Sequence, residues 1–281
     1  MKASISQASK IESFAALHES GCFLLPNPWD KGSAVYLERL GFAAVATTSA
    51  GYAFSRALPD SVSAVSRDEM IAHIADVVEA TTLPVNADFQ NCYAHGPDEV
   101  KVNVGLCVGT GVAGLSIEDS NGNDSDPLYN LDLAIRRVKA AREAIDASGV
   151  PVLLTARCEA WLVGHQEPLK TALERLAAFA DAGADCLYAP GVTNPDEIAA
   201  IVKAVSPKPV NVLVSSSNSH LSAAQLEALG VRRISVGGAL ARVAWGAFMR
   251  AAQSIKDTGT FKSFDDAAPF NQIQDLFLKR C

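Results

Sequence analysis

The sequence predicts an α/β protein of the (β/α)8, or TIM, barrel class, laid out as one domain over residues 1–281. Three observations carry that prediction. Eight short apolar runs alternate with eight or more helical segments, and alternating β and α implies a parallel sheet. No linker or low-complexity stretch interrupts the alternation, and eight such units in 281 residues fit the length a barrel takes up. A doubly wound open sheet wants a glycine-rich turn after its first strand, where this chain has Pro26-Asn27-Pro28 instead.

Each element is justified locally. Ile11 to His18 is amphipathic and helical; Cys22 to Leu25 is the first strand. Ser33 to Leu40 is a helix stopped by Gly41, and Phe42 to Ala46 is the second strand, ending at Thr47-Thr48-Ser49-Ala50-Gly51. A long loop, Tyr52 to Val65, carries Leu58-Pro59-Asp60. Ser66 and Glu69 form a capping box for a helix over Arg67 to Ala80. The third strand, from Leu83-Pro84-Val85, delivers Asp88 to its end. Pro97-Asp98-Glu99 opens a helix to Val108, Val112 to Ile117 is the fourth strand, and Leu131 to Ala147 is helical. Val150 to Ala156, Cys186 to Ala189, Pro209 to Val214 and Val231 to Val236 are the remaining strands. Between them lie helices over Leu169 to Ala182, from Asn194-Pro195-Asp196-Glu197, and from Ser222 to Leu229. Ala239 to Asp257 is a long helix, and residues 262–281 form an extension whose helix, Phe270 to Phe277, puts Phe270, Ile273 and Phe277 on one face.

Bulk properties exclude several classes. Lys and Arg number 24 against 31 Asp and Glu, a net charge of −7, and no basic block stands out, so neither nucleic acid nor an anionic membrane is an expected partner. Met1 to Lys10 lacks an apolar signal core, and no run approaches the roughly 18 apolar residues of a membrane helix; a cytoplasmic protein is expected. Six cysteines are scattered without a CxxC pair, which reads as buried thiols of a reducing compartment rather than a zinc site or a disulfide framework.

In a barrel the site lies where the strands end. Those ends bring together Asn27/Trp29/Asp30, Thr47/Thr48/Ser49, Asp88/Gln90, Glu118/Asp119, Arg157/Glu159, Pro190/Gly191, Val214/Ser215 and Gly237/Gly238. An ionised Asp cannot sit unpaired within a buried strand, so Asp88 belongs at the exit. Asp88 and Glu118, with no His or Cys pattern, suit a hard cation held through oxygen and water, Mg2+ before Zn2+. The bland alternative is two strand ends capping backbone amides; convergence at the mouth favours the metal. Arg157 offers a fork of donors to a carboxylate or oxyanion, and equally a partner to Glu159 two residues on. The Thr47 to Gly51 turn is a candidate carboxylate cradle. Gly237-Gly238 resembles a phosphate site but is better read as close packing. His95 lies just past the third strand, while His18, His73 and His220 are surface or satisfied positions, and Cys92 and Cys158 are inert.

Taken in order, Asn27-Pro28-Trp29-Asp30, Thr47-Thr48-Ser49-Ala50-Gly51, Leu58-Pro59-Asp60, Asp88-Phe89-Gln90-Asn91-Cys92-Tyr93, Ser116-Ile117-Glu118-Asp119 and Thr155-Ala156-Arg157-Cys158-Glu159 resemble the isocitrate lyase/phosphoenolpyruvate mutase superfamily over essentially the whole chain. Leu187 to Gly191 and Arg232-Arg233-Ile234-Ser235 resemble its phosphonomutase-like or methylisocitrate-lyase-like branch. The resemblance implies a homotetramer, or a dimer of helix-swapped pairs, with the Phe270 to Phe277 helix exchanged between subunits. It implies Mg2+ (or Mn2+) on Asp88, with Asp60 and Glu118 acting through water and Gln90 beside them. It also implies a small 2-oxo acid whose carboxylate sits in Thr47-Thr48-Ser49, with Tyr52 and Arg157 also on the substrate. The implied chemistry makes or breaks a C–C or P–C bond next to a pyruvate enolate, with Arg157, Glu118 and Asp60 catalytic.

Two departures narrow this. Gln90 stands where the family has a second acid. Ser120 to Pro127 lacks the K-[KR]-C-G-H loop of the lyases, and Pro190 lies near the position of the mutase histidine; these argue against isocitrate or methylisocitrate cleavage and weaken a phosphonopyruvate reading. What remains is Mg2+-dependent C–C cleavage of a small 2-oxo dicarboxylic acid such as oxaloacetate, with Tyr52, Tyr93, Tyr188 or a metal water returning the proton. P–C chemistry on phosphonopyruvate, with the Asn121 and Asn123 loop gripping the phosphonyl group, is the first alternative. A 2-oxo-acid-binding barrel without turnover is the second.

Overall fold

The computed structural model describes residues 5–62, 64–217 and 220–278. The expected (β/α)8 barrel is what forms. Eight parallel strands run in the order β1-β8-β7-β6-β5-β4-β3-β2: β1 Phe23–Leu25, β2 Val45–Ala46, β3 Val85–Ala87, β4 Gly114–Glu118, β5 Leu153–Arg157, β6 Cys186–Tyr188, β7 Val210–Leu213 and β8 Arg233–Ser235. The ring is completed between β1 and β2 by the Ala46 amide donating to the Pro26 carbonyl at 3.0 Å and Asn27 Nδ2 donating to the Thr47 carbonyl at 2.8 Å.

Around the strands lie α1 Gln7–Ala16, α2 Lys31–Arg39, α3 Ser49–Ser55, α4 Arg67–Ala80, α5 Pro97–Val108, α6 Leu131–Ser148, α7 Pro168–Asp181, α8 Pro195–Val205, α9 Ala223–Ala228, α10 Ala239–Thr258 and α11 Phe270–Leu278. The start signals act as read: Ser66 with Glu69 and Ser222 with Gln225 close capping boxes, and Asn194 accepts from the amides of Asp196 and Glu197. The strands are shorter than their apolar runs, because the flanking residues are buried without joining the ladder. Before β5, for instance, Val152 is buried but closes a local turn instead, its amide donating to the Val150 carbonyl at 2.8 Å. One expectation is corrected. Ser49 onward is not loop but the first turn of α3, with Thr48 as its cap: Thr48 Oγ1 accepts from the Gly51 amide at 3.2 Å. Gly51 has no room for a side chain, since a Cβ there would meet Thr48 Cγ2 at 2.7 Å and Trp29 Cβ at 2.9 Å.

The apolar core fills the layer between strands and helices, with Phe14, Phe89, Leu115, Leu154, Leu176 and Phe179 fully enclosed. The barrel's own interior is polar, lined by Asn86, Ser116, Thr155, Asn211, Arg233 and Ser235, all buried. Arg233 is satisfied there by Asn211 Oδ1 at 2.9 Å and Thr155 Oγ1 at 3.0 Å. Cys22, Cys92, Cys107, Cys158 and Cys186 are free thiols, all but Cys22 buried, and no described helix is long and apolar enough to cross a membrane. Met1 to Ser4 of the expected leaderless N-terminus and the last three residues of the expected C-terminal extension lie outside the described residues.

Candidate active site

Three strand exits meet at one mouth. Asp88 follows β3 at once, Glu118 and Arg157 are the last residues of β4 and β5, and Glu159 lies two beyond. Registry puts Glu118 directly opposite Arg157 in the β4–β5 ladder. Arg157 is the hub. Its Nη1 contacts Asp88 Oδ1 at 2.9 Å and Glu118 Oε1 at 2.8 Å, while Nε and Nη2 bind Glu159 Oε1 and Oε2 at 2.8 and 3.3 Å. Its guanidinium also lies over the Tyr188 ring, 4.9 Å from the centroid. Burial works against the Arg157 charge, but Glu118, Glu159, Tyr188 and Asp88 outweigh it and hold the group well above its ordinary pKa.

The carboxylates are pushed the other way. Burial, then the neighbouring Glu159, Asp88 and Asp60, raise Glu118 well above the usual carboxylate range against the pull of Arg157. Burial likewise raises Glu159, and burial with the Asp88 charge raises Asp60. Ser49 offsets part of that rise at Asp60, so the Leu58-Pro59-Asp60 loop does reach the cluster. The mouth therefore holds Asp60, Asp88, Glu118 and Glu159 around Arg157, a surplus of carboxyl groups over guanidinium.

Asp88 is positioned by β2 and α3. Its amide donates to Thr47 Oγ1 at 2.8 Å, and its Oδ2 accepts from the Ser49 amide at 2.8 Å. The Thr47 hydroxyl and Ser49 amide of the expected cradle thus already serve Asp88. Gln90 sits beside it with φ 46°, its carbonyl accepting from the Glu118 amide at 2.9 Å, and its side-chain Oε1 is buried without a partner. Oxygen-only donors, a surplus of carboxyl groups and one orphaned amide oxygen are a set that suits a hard divalent cation. Among the described residues no group of three or more Asp, Glu, His or Cys side chains is gathered to hold a metal on its own, so water and substrate would have to complete any coordination.

Other candidates are not brought in. Tyr52 lies flat against His73, ring centroids 4.0 Å apart. His73 is itself a correction: it is buried, its Nε2 has no partner, and burial lowers its pKa to about 4. His95 is tied by Nδ1 to the Tyr129 hydroxyl at 2.7 Å. Asn121 Nδ2 donates to the Asp126 carbonyl at 2.7 Å, and the side-chain oxygens of Asn121 and Asn123 accept from the amides of Asn123 and Ser125, so these bonds hold the loop's own shape. Cys92 is pushed up to about 12 by burial, and Cys158 is raised well above the ordinary thiol value, so both are inert as expected. Gly238 packs close, as expected, a Cβ there lying 3.3 Å from Ala50 Cβ.

Sequence reasoning missed the layer behind Arg157. The Glu159 amide donates to Asp119 Oδ1 at 2.8 Å, and Arg175 Nη1 donates to Asp119 Oδ2 at 3.0 Å. A charged residue on the core-facing stripe of the 168–181 helix was the signal, since Arg175 falls among Ala172, Leu176 and Phe179.

The architecture and the mouth define a (β/α)8 barrel whose acidic centre is built round a single paired arginine. Residues 14–256 match the phosphoenolpyruvate phosphomutase family, and the chain belongs to it, within the isocitrate lyase/phosphoenolpyruvate mutase superfamily of lyases and mutases. A crystal structure of a putative lyase/mutase from Burkholderia cenocepacia is 48% identical, covers 98% of each chain and superposes with a TM-score of 0.94. An uncharacterised protein of Mycobacterium tuberculosis is 32% identical over 93% of this chain and 95% of its own. An oxaloacetate acetylhydrolase solved with its product oxalate is 25% identical, covering 96% of this chain and 93% of its own, at a TM-score of 0.83.

Proposed function

We propose that the protein cleaves a C–C bond of a small 2-oxo dicarboxylic acid through a pyruvate-type enolate, in the manner of an oxaloacetate decarboxylase or related lyase, with Mg2+ (Mn2+ as a substitute). The observation that carries this is the surplus of carboxylate around Arg157 together with the orphaned Gln90 oxygen. Resemblance to a hydrolase of oxaloacetate supports the substrate class.

Asp88 would hold the cation directly, with Asp60, Glu118 and Gln90 through water, and the bound ion supplies a Lewis acid that lowers the cost of charge on the substrate's C2 oxygen. Arg157, fixed in plane by Glu159, faces the same developing charge, and a prepositioned donor stabilises it without reorganising. Thr47, Thr48 and Ser49 are assigned the substrate carboxylate. No strong protein base is required, because loss of CO2 itself generates the enolate.

Purified protein with Mg2+ is expected to release CO2 from oxaloacetate above a metal-only blank, and Asp88→Ala to fall to that blank. Wild-type release equal to the blank overturns the reading. The family match favours P–C bond chemistry as the second reading; consumption of phosphonopyruvate followed by phosphorus NMR, with oxaloacetate untouched, would select it.

A further inference from the structure

Glu159, which closes on the fork of Arg157, stands just beyond the reach of the sheet. The β4–β5 ladder ends with Glu118 opposite Arg157, and the next amide, that of Cys158, donates to the Tyr188 carbonyl at 2.9 Å. One residue further on the strand is over, and a side chain takes the place of a neighbouring strand. The Glu159 amide donates to Asp119 Oδ1 at 2.8 Å. Whatever fixes the Asp119 carboxylate therefore fixes where Glu159 stands.

Arg175 fixes it. From within α7 its Nη1 donates to Asp119 Oδ2 at 3.0 Å and its Nη2 to the Tyr129 carbonyl at 2.7 Å. The Tyr129 amide in turn donates to the Asp119 carbonyl at 2.9 Å. One guanidinium thus grips both ends of the 119–129 loop and, through Asp119, the exit of β5. With Oδ1 on the Glu159 amide and Oδ2 on Arg175, the Asp119 carboxylate is held at both oxygens. Asp119 and Arg175 are both buried. Stability does not account for a charged pair in this place, because a buried pair exchanged for apolar side chains of similar volume often leaves a protein no less stable. Direction accounts for it: a planar guanidinium offers donors in fixed directions, which an apolar side chain does not.

We propose that Arg175 is a positioning residue for Arg157, acting through Asp119 and Glu159, and the catalytic consequence rests on the enolate reading above. The chain of contacts runs from Arg175 to the Asp119 carboxylate and on to the Glu159 amide. It continues from the Glu159 carboxylate to Nε and Nη2 of Arg157 at 2.8 and 3.3 Å. Only its inner end, Arg157, is assigned to the substrate.

The test reads Arg157 itself, by nuclear magnetic resonance of isotope-labelled arginine, through the exchange of its Nε proton with water. Arg233 is the control: its Nε–H donates to Asn211 Oδ1 at 2.9 Å inside the barrel, and its partners Asn211, Thr155 and His18 lie off this chain of contacts. Arg157→Lys and Arg233→Lys identify the two signals by their loss. Asp119→Leu with Arg175→Met removes the pair without leaving a lone buried charge. Exchange at Arg157 is expected to rise at least about 10-fold, the equivalent of one lost hydrogen bond, with Arg233 unchanged. The kcat for oxaloacetate should fall about 10- to 100-fold at an unaltered KM. Should that variant fail to fold, Arg175→Lys, which keeps the charge but not the two fixed donor directions, decides by the same comparison. Exchange unchanged at Arg157, exchange raised equally at both arginines, or a kcat that holds while exchange rises overturns the assignment. A wild type that leaves oxaloacetate at the metal-only blank overturns the proposed substrate instead, and the Nε exchange still decides whether Arg175 positions Arg157.

Discussion

Glu159 binds Arg157 through both oxygens, while Asp88 and Glu118 share one guanidinium nitrogen. That division matters for the proposed role of Arg157, because a fork closed on a carboxylate fixes the plane of the guanidinium, and contacts to a single nitrogen do not. Glu159→Gln keeps the shape but places an amide N–H against Nε or Nη2, where only an acceptor fits. Turnover of oxaloacetate should fall about 10- to 100-fold in kcat with little change in KM, since the substrate still finds the same pocket but the oxyanion donor is no longer held. Unfolding by urea should show a loss of about 1–3 kcal/mol; an unchanged kcat would mean that Asp88 and Glu118 suffice to orient Arg157. At this scale the sequence was informative wherever a residue of the candidate site lay at a strand's exit: Asp88, Glu118, Arg157 and Glu159 were all legible from the alternation of strands and helices. Asp119 to Arg175 was not, because the pair spans 56 residues and neither member's local pattern names the other. The left-handed backbone at Gln90, Cys92 and Tyr93 was illegible for another reason, since none of the three is glycine and the Arg137 side chain that binds the Asn91 and His95 carbonyls comes from a distant helix.

The α1 helix seats on the barrel through a histidine that must stay neutral. His18 follows the helix, its ring edge-on to Phe14 and Phe23, with centroids 4.8 and 4.9 Å away. Nδ1 meets the Phe14 carbonyl at 2.7 Å and Nε2 meets Arg233 Nη1 at 3.4 Å. A carbonyl only accepts and a guanidinium only donates, so Nδ1 carries the proton and Nε2 is bare. Burial and the Arg233 charge lower the His18 pKa to about 3. The unfolded chain takes up a proton near pH 6.5 and the folded chain does not until about pH 3. Stability is therefore lost as pH falls through that window, by up to about 1.4 kcal/mol per pH unit for this group. Thermal midpoints measured from pH 7 down to pH 4.5 should drop steeply for wild type and less steeply for His18→Gln; parallel curves would assign the acid lability to other groups. Element positions were largely readable because caps and stop signals are local. The 49–55 helix was the exception: a Thr/Ser/Ala/Gly run has turn propensity, and it becomes helical only because Thr48 caps Gly51 and Gly51 fits between Thr48 and Trp29.

At the scale of the whole molecule the barrel is self-sufficient and its last two helices are not. The 239–258 helix buries only Ala241, and the 270–278 helix buries nothing. Their apolar side chains face outward, with Val243 at 69%, Phe248 at 62%, Met249 at 62% and Phe270 at 77% exposure. Phe54, Leu58, Trp245 and Met249 line an open groove of about 500 Å³ on the same side. A surface of this size and character marks a contact rather than a solvent face, and each large apolar side chain buried there contributes about 1.5–3 kcal/mol. The same faces are where the sequence expected helix exchange between subunits, for a reason visible in the residues: Phe270, Ile273 and Phe277 share one stripe that stays largely exposed, although the Phe277 ring lies against Gly32. The expected assembly is a homotetramer, or a dimer of helix-swapped pairs, at micromolar concentration. Sedimentation velocity should show it directly, and Phe270→Asp with Phe277→Asp should shift the protein to smaller species with a lower, concentration-independent thermal midpoint. The distinction from simple surface stickiness lies in saturation, since a closed symmetric assembly stops at one size whereas non-specific association keeps growing with concentration. A wild-type monomer across the micromolar range, with the double variant unchanged, would mean that these helices stand exposed in solution as they do in the isolated chain.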